Sequence, residues 1–206
     1  MAFSLSKHMN PFDIVKNFEV QLANHFGSRF CVATDCCTHA IELCMRQQQV
    51  KTASCPKHTY LSVPMTLKKL ELDWHFVDNE WQEYYQLGDT GIYDAATFFS
   101  KGKYISGSKM CVSFQKRKTL SLGRGGAILL DDYNDAVKLR RMAYDSRDRD
   151  SSWEDQLSSI TQMGYHYYMT PETAQLGIDK FPKSDYIPGW SWRDYPDISK
   201  VPLFNE

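Results

Sequence analysis

An α/β fold wound around a mostly parallel sheet is what this 206-residue sequence predicts, and three observations carry the prediction. Short apolar runs of strand length alternate with amphipathic runs of helical spacing through residue 78. A chain of this length, 42% hydrophobic and 14% aromatic, is enough for one substantial core with room for a small second unit. There is no internal repeat and no low-complexity tract.

The elements follow in order. Residues 11 to 27, PFDIVKNFEVQLANHFG, place apolar side chains at helical spacing and stop at Gly27. RFCVAT, 29 to 34, is a short apolar strand. THAIELCMRQQQ, 38 to 49, is a helix opened by Thr38. TASCP (52 to 56) and WHFVD (74 to 78) are strands on either side of a short helix, VPMTLKKLEL, 63 to 72. GIYDAATFF, 91 to 99, reads as a strand running into a turn. KMCVSF (109 to 114) and GAILLDD (126 to 132) are strands separated by a polar loop, QKRKTLSLGRG. YNDAVKLRRMAY, 133 to 144, is a charged amphipathic helix. SRDRDSSWEDQ, 146 to 156, is polar and reads as a loop. PETAQLGIDKF, 171 to 181, opens with proline in a helical first turn. After it comes a tail rich in proline and tryptophan, residues 182 to 206, in which no regular element is expected.

A formal net charge of -1 leaves no electrostatic footprint for nucleic acid or for an anionic membrane. The first residues hold no long apolar stretch, and no run is long enough to span a bilayer. The expected location is the cytoplasm. The six cysteines sit mostly in apolar stretches, as small buried residues do, and do not indicate a disulfide framework. Cys36 and Cys37 are adjacent, without the two-residue gap of a zinc pair, so no metal is expected.

The segment that carries chemistry is CVSFQKRKTLSLGRGGAILLDD. A strand ends in Ser113-Phe114, Lys118 follows five residues after Ser113, and a glycine-rich turn leads into the next strand. This resembles the active-site segment of the DegT/DnrJ/EryC1/StrS family of pyridoxal-phosphate sugar aminotransferases. Other segments resemble that family in the same order: FEVQLANHFGSRFCVATDCCTHAIELCM its opening helix, strand and phosphate loop, CPKHTYLSVPMT its Pro-x-x-Thr-aromatic segment, YDAAT its Glu-Asp-Ala-Ala segment, and GYHYYMTPETAQLGIDKF a later Gly-x-Asn-Tyr-Arg-Met stretch. The resemblance runs from residue 18 to residue 181.

The resemblance implies a three-layer fold, with residues 1 to 181 as a reduced cofactor-binding large domain and the C-terminal small domain reduced or absent. It implies pyridoxal 5'-phosphate as cofactor, with Lys118 forming the Schiff base and moving the α-proton, and Asp94 at the pyridine nitrogen. Ser113, Thr38, Cys37 and His39 fall around the phosphate loop, Tyr60 over the ring and Thr97 beside it. His166 falls where the family reaches the phosphate of a partner subunit. A homodimer with a shared site is the expected assembly. The implied reaction moves an amino group from a donor, L-glutamate first, to a keto acceptor such as a nucleotide-linked keto sugar. The alternative is a cofactor-binding protein without turnover, regulatory or part of a larger complex.

The residue types suit that chemistry. A phosphate is held by hydroxyls and a helix N-terminus, an aldehyde is captured by an amine of lowered pKa, and a flat ring is covered by an aromatic face. Several positions depart from the family pattern. Cys37 stands for a glycine, Thr97 for Gln or His, Arg124 for Glu, His166 for Asn and Tyr168 for Arg. Only fifteen residues separate Asp78 from Asp94, where the family carries a further strand and helix.

Overall fold

The computed structural model describes residues 10–158, 160–181 and 187–204. The first helix, α1 (Asp13–Phe26), buries Val15, Phe18, Leu22 and Phe26 on one face. It ends at Gly27, whose φ of 87° lets its N–H turn back to the Ala23 carbonyl. Then come β1 (Phe30–Thr34), α2 (Cys37–Gln47), β2 (Thr52–Pro56), α3 (Ser62–Lys69) and β3 (Asp73–Val77). A two-residue strand, β4 (Tyr85–Gln86), precedes β5 (Ile92–Ala95), β6 (Lys109–Ser113) and β7 (Gly126–Leu130). Three helices close the series: α4 (Tyr133–Ala143), α5 (Trp153–Leu157) and α6 (Pro171–Lys180).

The main sheet has the order β1-β7-β6-β5-β4, and β2 with β3 forms a separate two-stranded sheet. The α/β class holds, but the pairing corrects the expected mostly parallel sheet. Only β5 with β6 runs parallel in the main sheet; β1 with β7, β6 with β7 and β4 with β5 are antiparallel. The parallel winding read from the first 78 residues survives in β2 and β3 alone, joined across α3. The reason is local. β7 returns beside β6 after the polar loop, and β1 then pairs with β7, so the first strand is separated from the strands that follow it in sequence.

Side-chain alternation along the sheet builds two cores and three layers. Cys111, Ile128 and Leu130 point to the face covered by α2, α3 and α4, with Ile41, Leu43, Leu67 and Leu139. Met110, Val112, Ala127 and Leu129 point to the opposite face, covered by α1 and α6, with Phe18, Phe26, Phe114 and Ala174. Each fully buried large apolar side chain contributes about 1.5–3 kcal/mol. One polar tie crosses the layers. Glu19 on α1 accepts from the Ala33 N–H at 2.9 Å and from the Arg140 guanidinium at 2.8 Å, linking α1, β1 and α4.

Several element boundaries differ from the sequence reading. Cys36 caps α2, its Sγ accepting from the His39 N–H, so Thr38 lies inside the first turn rather than opening it. A helix, α5, stands in the stretch read as a loop, capped by Ser152. The tail, expected to be irregular, makes two short 3-10 turns, Trp192–Asp194 and Pro202–Phe204. It is nonetheless tied down: the Ile198 N–H donates to the Lys57 carbonyl, and Phe204 packs edge-on to Trp74 and Phe76 on β3. All six cysteines are buried free thiols. Among the described residues no helix is long and apolar enough to cross a membrane.

Candidate active site

At the C-terminal ends of the parallel pair β5 and β6, and beside the N-terminus of α2, lies a cavity of about 330 Å³. Ligands of α/β proteins bind at such strand ends. Asp94, third residue of β5, is buried and faces the cavity. Its Oδ2 accepts from the Tyr85 hydroxyl at 2.5 Å, and its Oδ1 from the Ala96 N–H at 2.9 Å. Thr59 in turn hydrogen-bonds Tyr85. Burial pushes the Asp94 carboxyl upward, while Tyr85, the Ala96 N–H and the Lys118 charge oppose that shift. Burial and the Asp94 charge push the Tyr85 hydroxyl up as well, so Tyr85 is the donor of the pair. No cation lies within ion-pair distance of Asp94 among the described residues.

Lys118 reaches the cavity from the loop between β6 and β7. The loop is anchored at its base, where the Phe114 N–H donates to Gly125 and the Leu122 N–H to Phe114. Leu120 is fully buried in the core beneath α1. Burial pushes the Lys118 amine downward; Asp94 and Cys37 pull it back up, and Arg117 adds to the lowering. The amine sits 4.9 Å from the centre of the Trp190 ring.

Ser113 ends β6, and its hydroxyl accepts weakly from the Gln115 N–H at 3.4 Å. Thr38 pairs with Ser62 at 2.8 Å. Cys37, in the place of a glycine, turns its thiol into the sheet and donates to the Cys111 carbonyl at 3.2 Å. Burial keeps that thiol protonated. The glycine that this region requires is Gly126 instead: a Cβ there would overlap the backbone of Cys36 and Cys37, so the loop before α2 lies flat against β7. Tyr60 stands exposed at the mouth. Thr97 donates to the Glu83 carbonyl at 2.8 Å.

The structure thus brings Lys118, Asp94, Ser113, Thr38, Cys37, Tyr60 and Thr97 around one cavity. His39 and His166 do not line it. His39 stacks on Tyr167, ring centres 3.6 Å apart, and pairs through Nδ1 with Asp35 at 2.7 Å. Burial works against charge on this imidazole, but Asp35 and Cys36 outweigh it and push its pKa to about 9. His166 is exposed, pairs with Asp145 at 3.0 Å and borders a separate hollow with Asp35, Arg124 and Tyr168. Asp35, Cys36 and His39 gather three atoms of metal-ligand type within 4.8 Å. Asp35 divides its carboxylate between His39 and Arg124, which commits it to two cationic groups.

Sequence reasoning missed Tyr85, Thr59, Trp81, Trp190 and Tyr195, all on the cavity wall. No spacing rule joins Tyr85 to Asp94, since a two-residue strand makes that neighbourhood. The tail aromatics carried a signal in the density of tryptophan, which marks an anchored segment rather than a solvated one.

The residues suit pyridoxal phosphate. Lys118 offers a desolvated amine, Asp94 a buried acceptor for a ring N–H, and Ser113, Thr38 and the first amides of α2 offer donors for a phosphate. An α/β domain with a lysine and a carboxylate facing one cavity at its strand ends is the class that the fold and site define. Residues 5–102 and 92–187 match the profile of the DegT/DnrJ/EryC1/StrS aminotransferase family, and the chain belongs to that family. The family is pyridoxal-phosphate-dependent. Similar solved structures include 3-amino-5-hydroxybenzoic acid synthase, at 19% identity and a TM-score of 0.71 over 84% of this chain and 56% of that one. A DegT DnrJ EryC1 StrS aminotransferase from Brucella abortus is similar at 15% identity, with a TM-score of 0.66 over 82% of this chain and 58% of that one. NtdA from Bacillus subtilis, solved with bound cofactor PMP, is similar at 16% identity and a TM-score of 0.67 over 81% of this chain and 47% of that one. At these identities the likeness shows the fold. The chain spans about half the length of these structures. No curated protein matches the sequence.

Proposed function

We propose that this chain is a pyridoxal-phosphate-dependent aminotransferase that moves an amino group from an amino-acid donor, L-glutamate first, to a keto acceptor such as a nucleotide-linked keto sugar. The observation that carries the reading is the pairing of a desolvated Lys118 amine with a buried Asp94 carboxyl across one cavity. Pyridoxal phosphate, when bound, supplies the electron sink that lets an amino acid lose its α-proton.

The chain's own residues do the rest. Lys118, held toward its free-base form by burial and by Arg117, presents a nucleophilic Nζ and then serves as base for the donor's α-proton. Asp94 is oriented by Tyr85 and the Ala96 N–H, so its carboxylate accepts from a protonated ring nitrogen. Ser113 and Thr38 bind phosphate oxygens. Tyr60, Trp190 and Tyr195 exclude water from the mouth. In this reading residues 1–181 form the reduced cofactor-binding unit and residues 182–206 its C-terminal tail, of which Trp190 and Tyr195 line the cavity. His166 is exposed and does not line its own chain's cavity, which leaves it free to serve the site of a second copy in a homodimer. Six free thiols favour a reducing compartment, the cytoplasm.

A second reading, cofactor binding without turnover, is favoured by one fact: the chain spans about half the length of its solved relatives. A spectral titration separates the two. Adding pyridoxal phosphate turns the wild-type protein yellow and leaves Lys118→Ala colourless, and L-glutamate then bleaches the wild type. Persistence of the colour with every amino donor favours the second reading. Absence of colour in the wild type removes both.

A further inference from the structure

Most arginines here face a carboxylate. Arg46 pairs with Glu42, Arg124 with Asp35, Arg140 with Glu19, Arg141 with Asp148 and Arg147 with Asp145. Arg117 differs. No carboxylate lies within ion-pair distance of it among the described residues, and its guanidinium rests on the Trp190 ring, 4.7 Å from the centre. It is exposed and lines the cavity that holds Lys118 and Asp94. Stacking occupies the faces of a guanidinium and leaves its N–H donors free in the plane, where they match a carboxylate bidentately.

The seat is fixed by backbone bonds. The Glu83 N–H donates to the Trp190 carbonyl at 2.8 Å, and the Trp192 N–H to the Trp81 carbonyl at 3.1 Å. The same indole carries the Lys118 amine, so one ring seats both groups at the cavity. The acids of the cavity are Asp94 and Glu83, and Lys116 and Arg117 lie beside the Lys118 amine. In an α-amino acid the carboxylate oxygens stay within about 3.5 Å of the nitrogen. A donor whose nitrogen comes to Lys118 keeps its carboxylate within the cavity that Arg117 also lines.

We infer that Arg117, seated on Trp190, binds the carboxylate of the amino donor and makes the site selective for amino acids over simple amines. This rests on the reading of the cavity as the cofactor site with Lys118 as its amine. Succinate, a dicarboxylate with no amine, probes it without reaction. Tryptophan fluorescence is titrated with succinate, and separately with uridine diphosphate, in wild type, Arg117→Gln, Arg117→Lys and Lys116→Gln, after the yellow colour on cofactor addition has been recorded for each. Arg117→Gln is expected to bind succinate about 10- to 100-fold more weakly. Arg117→Lys should recover part of the loss, and Lys116→Gln should stay within about 2-fold of wild type. Unchanged succinate affinity in Arg117→Gln overturns the inference. So does a larger loss in Lys116→Gln, or a loss confined to uridine diphosphate. A wild type that never turns yellow sinks the cofactor reading alone, because the fluorescence titration on that same sample still reads Arg117.

Discussion

At the scale of single residues, the site is governed by desolvation set against a few partners. Asp94 is buried with no cation within ion-pair distance among the described residues, and Tyr85 and one backbone N–H hold it in place. That leaves it able to receive a positive ring nitrogen from outside. Next to the cavity, His39 illustrates the opposite balance. Its pKa is pushed from 6.5 to about 9 because Asp35 outweighs burial. A raised histidine stabilises the fold fully below its unfolded pKa and loses that contribution as pH rises through the folded value. We therefore expect His39→Gln to be destabilised relative to wild type by about 1 kcal/mol at pH 6, discounting for screening at a partly open site. The gap should narrow as pH passes through about 9. Urea denaturation of both proteins across that range checks it; a gap that widens with pH would contradict the ion pair.

At the scale of elements, what positions the residues proposed to hold the cofactor is the close approach of β7 to the loop that enters α2. Gly126 is the contact, since any Cβ there meets the Cys36–Cys37 backbone. Cys37 can stand in a glycine position because its thiol has somewhere to go, the Cys111 carbonyl within the sheet. The demand for a small residue has moved to the facing strand. Gly126→Ala is expected to cost about 3 kcal/mol and to weaken cofactor binding, because the loop must lift away from the strand. Chemical denaturation and a pyridoxal-phosphate titration measure the two effects. Cys37→Gly should leave the cofactor affinity close to wild type, which separates crowding from lost packing.

At the scale of the whole molecule, two surfaces complete what one sheet begins. The tail crosses the mouth of the cavity and runs on to β3, so Trp190 and Tyr195 close the pocket from a part of the chain far from Asp94 in sequence. His166 lies outside that cavity, exposed beside Asp145. If two copies share sites, mixing Lys118→Ala with His166→Ala should restore colour that neither shows at full strength alone. Random exchange would leave about a quarter of all sites intact. No gain on mixing would assign both residues to the same chain's site or remove His166 from it.

Periodicity and punctuation determined much by themselves. The helix at 11 to 27 with its glycine stop, the strands at 109 to 114 and 126 to 132, and the lysine five residues beyond Ser113 were legible, because each rests on neighbours along the chain. Collinear motifs then gathered seven residues that the fold does bring to one cavity. Only the tertiary structure decided the strand order, which pairs β1 with β7 and leaves β2 and β3 apart; the alternation of apolar residues fixes which face is buried but not which strand lies alongside. It also decided that Tyr85 backs Asp94, that Gly126 rather than residue 37 must lack a side chain, and that the tail covers the pocket. Those facts depend on distances between segments remote in sequence, and no local pattern encodes a distance of that kind.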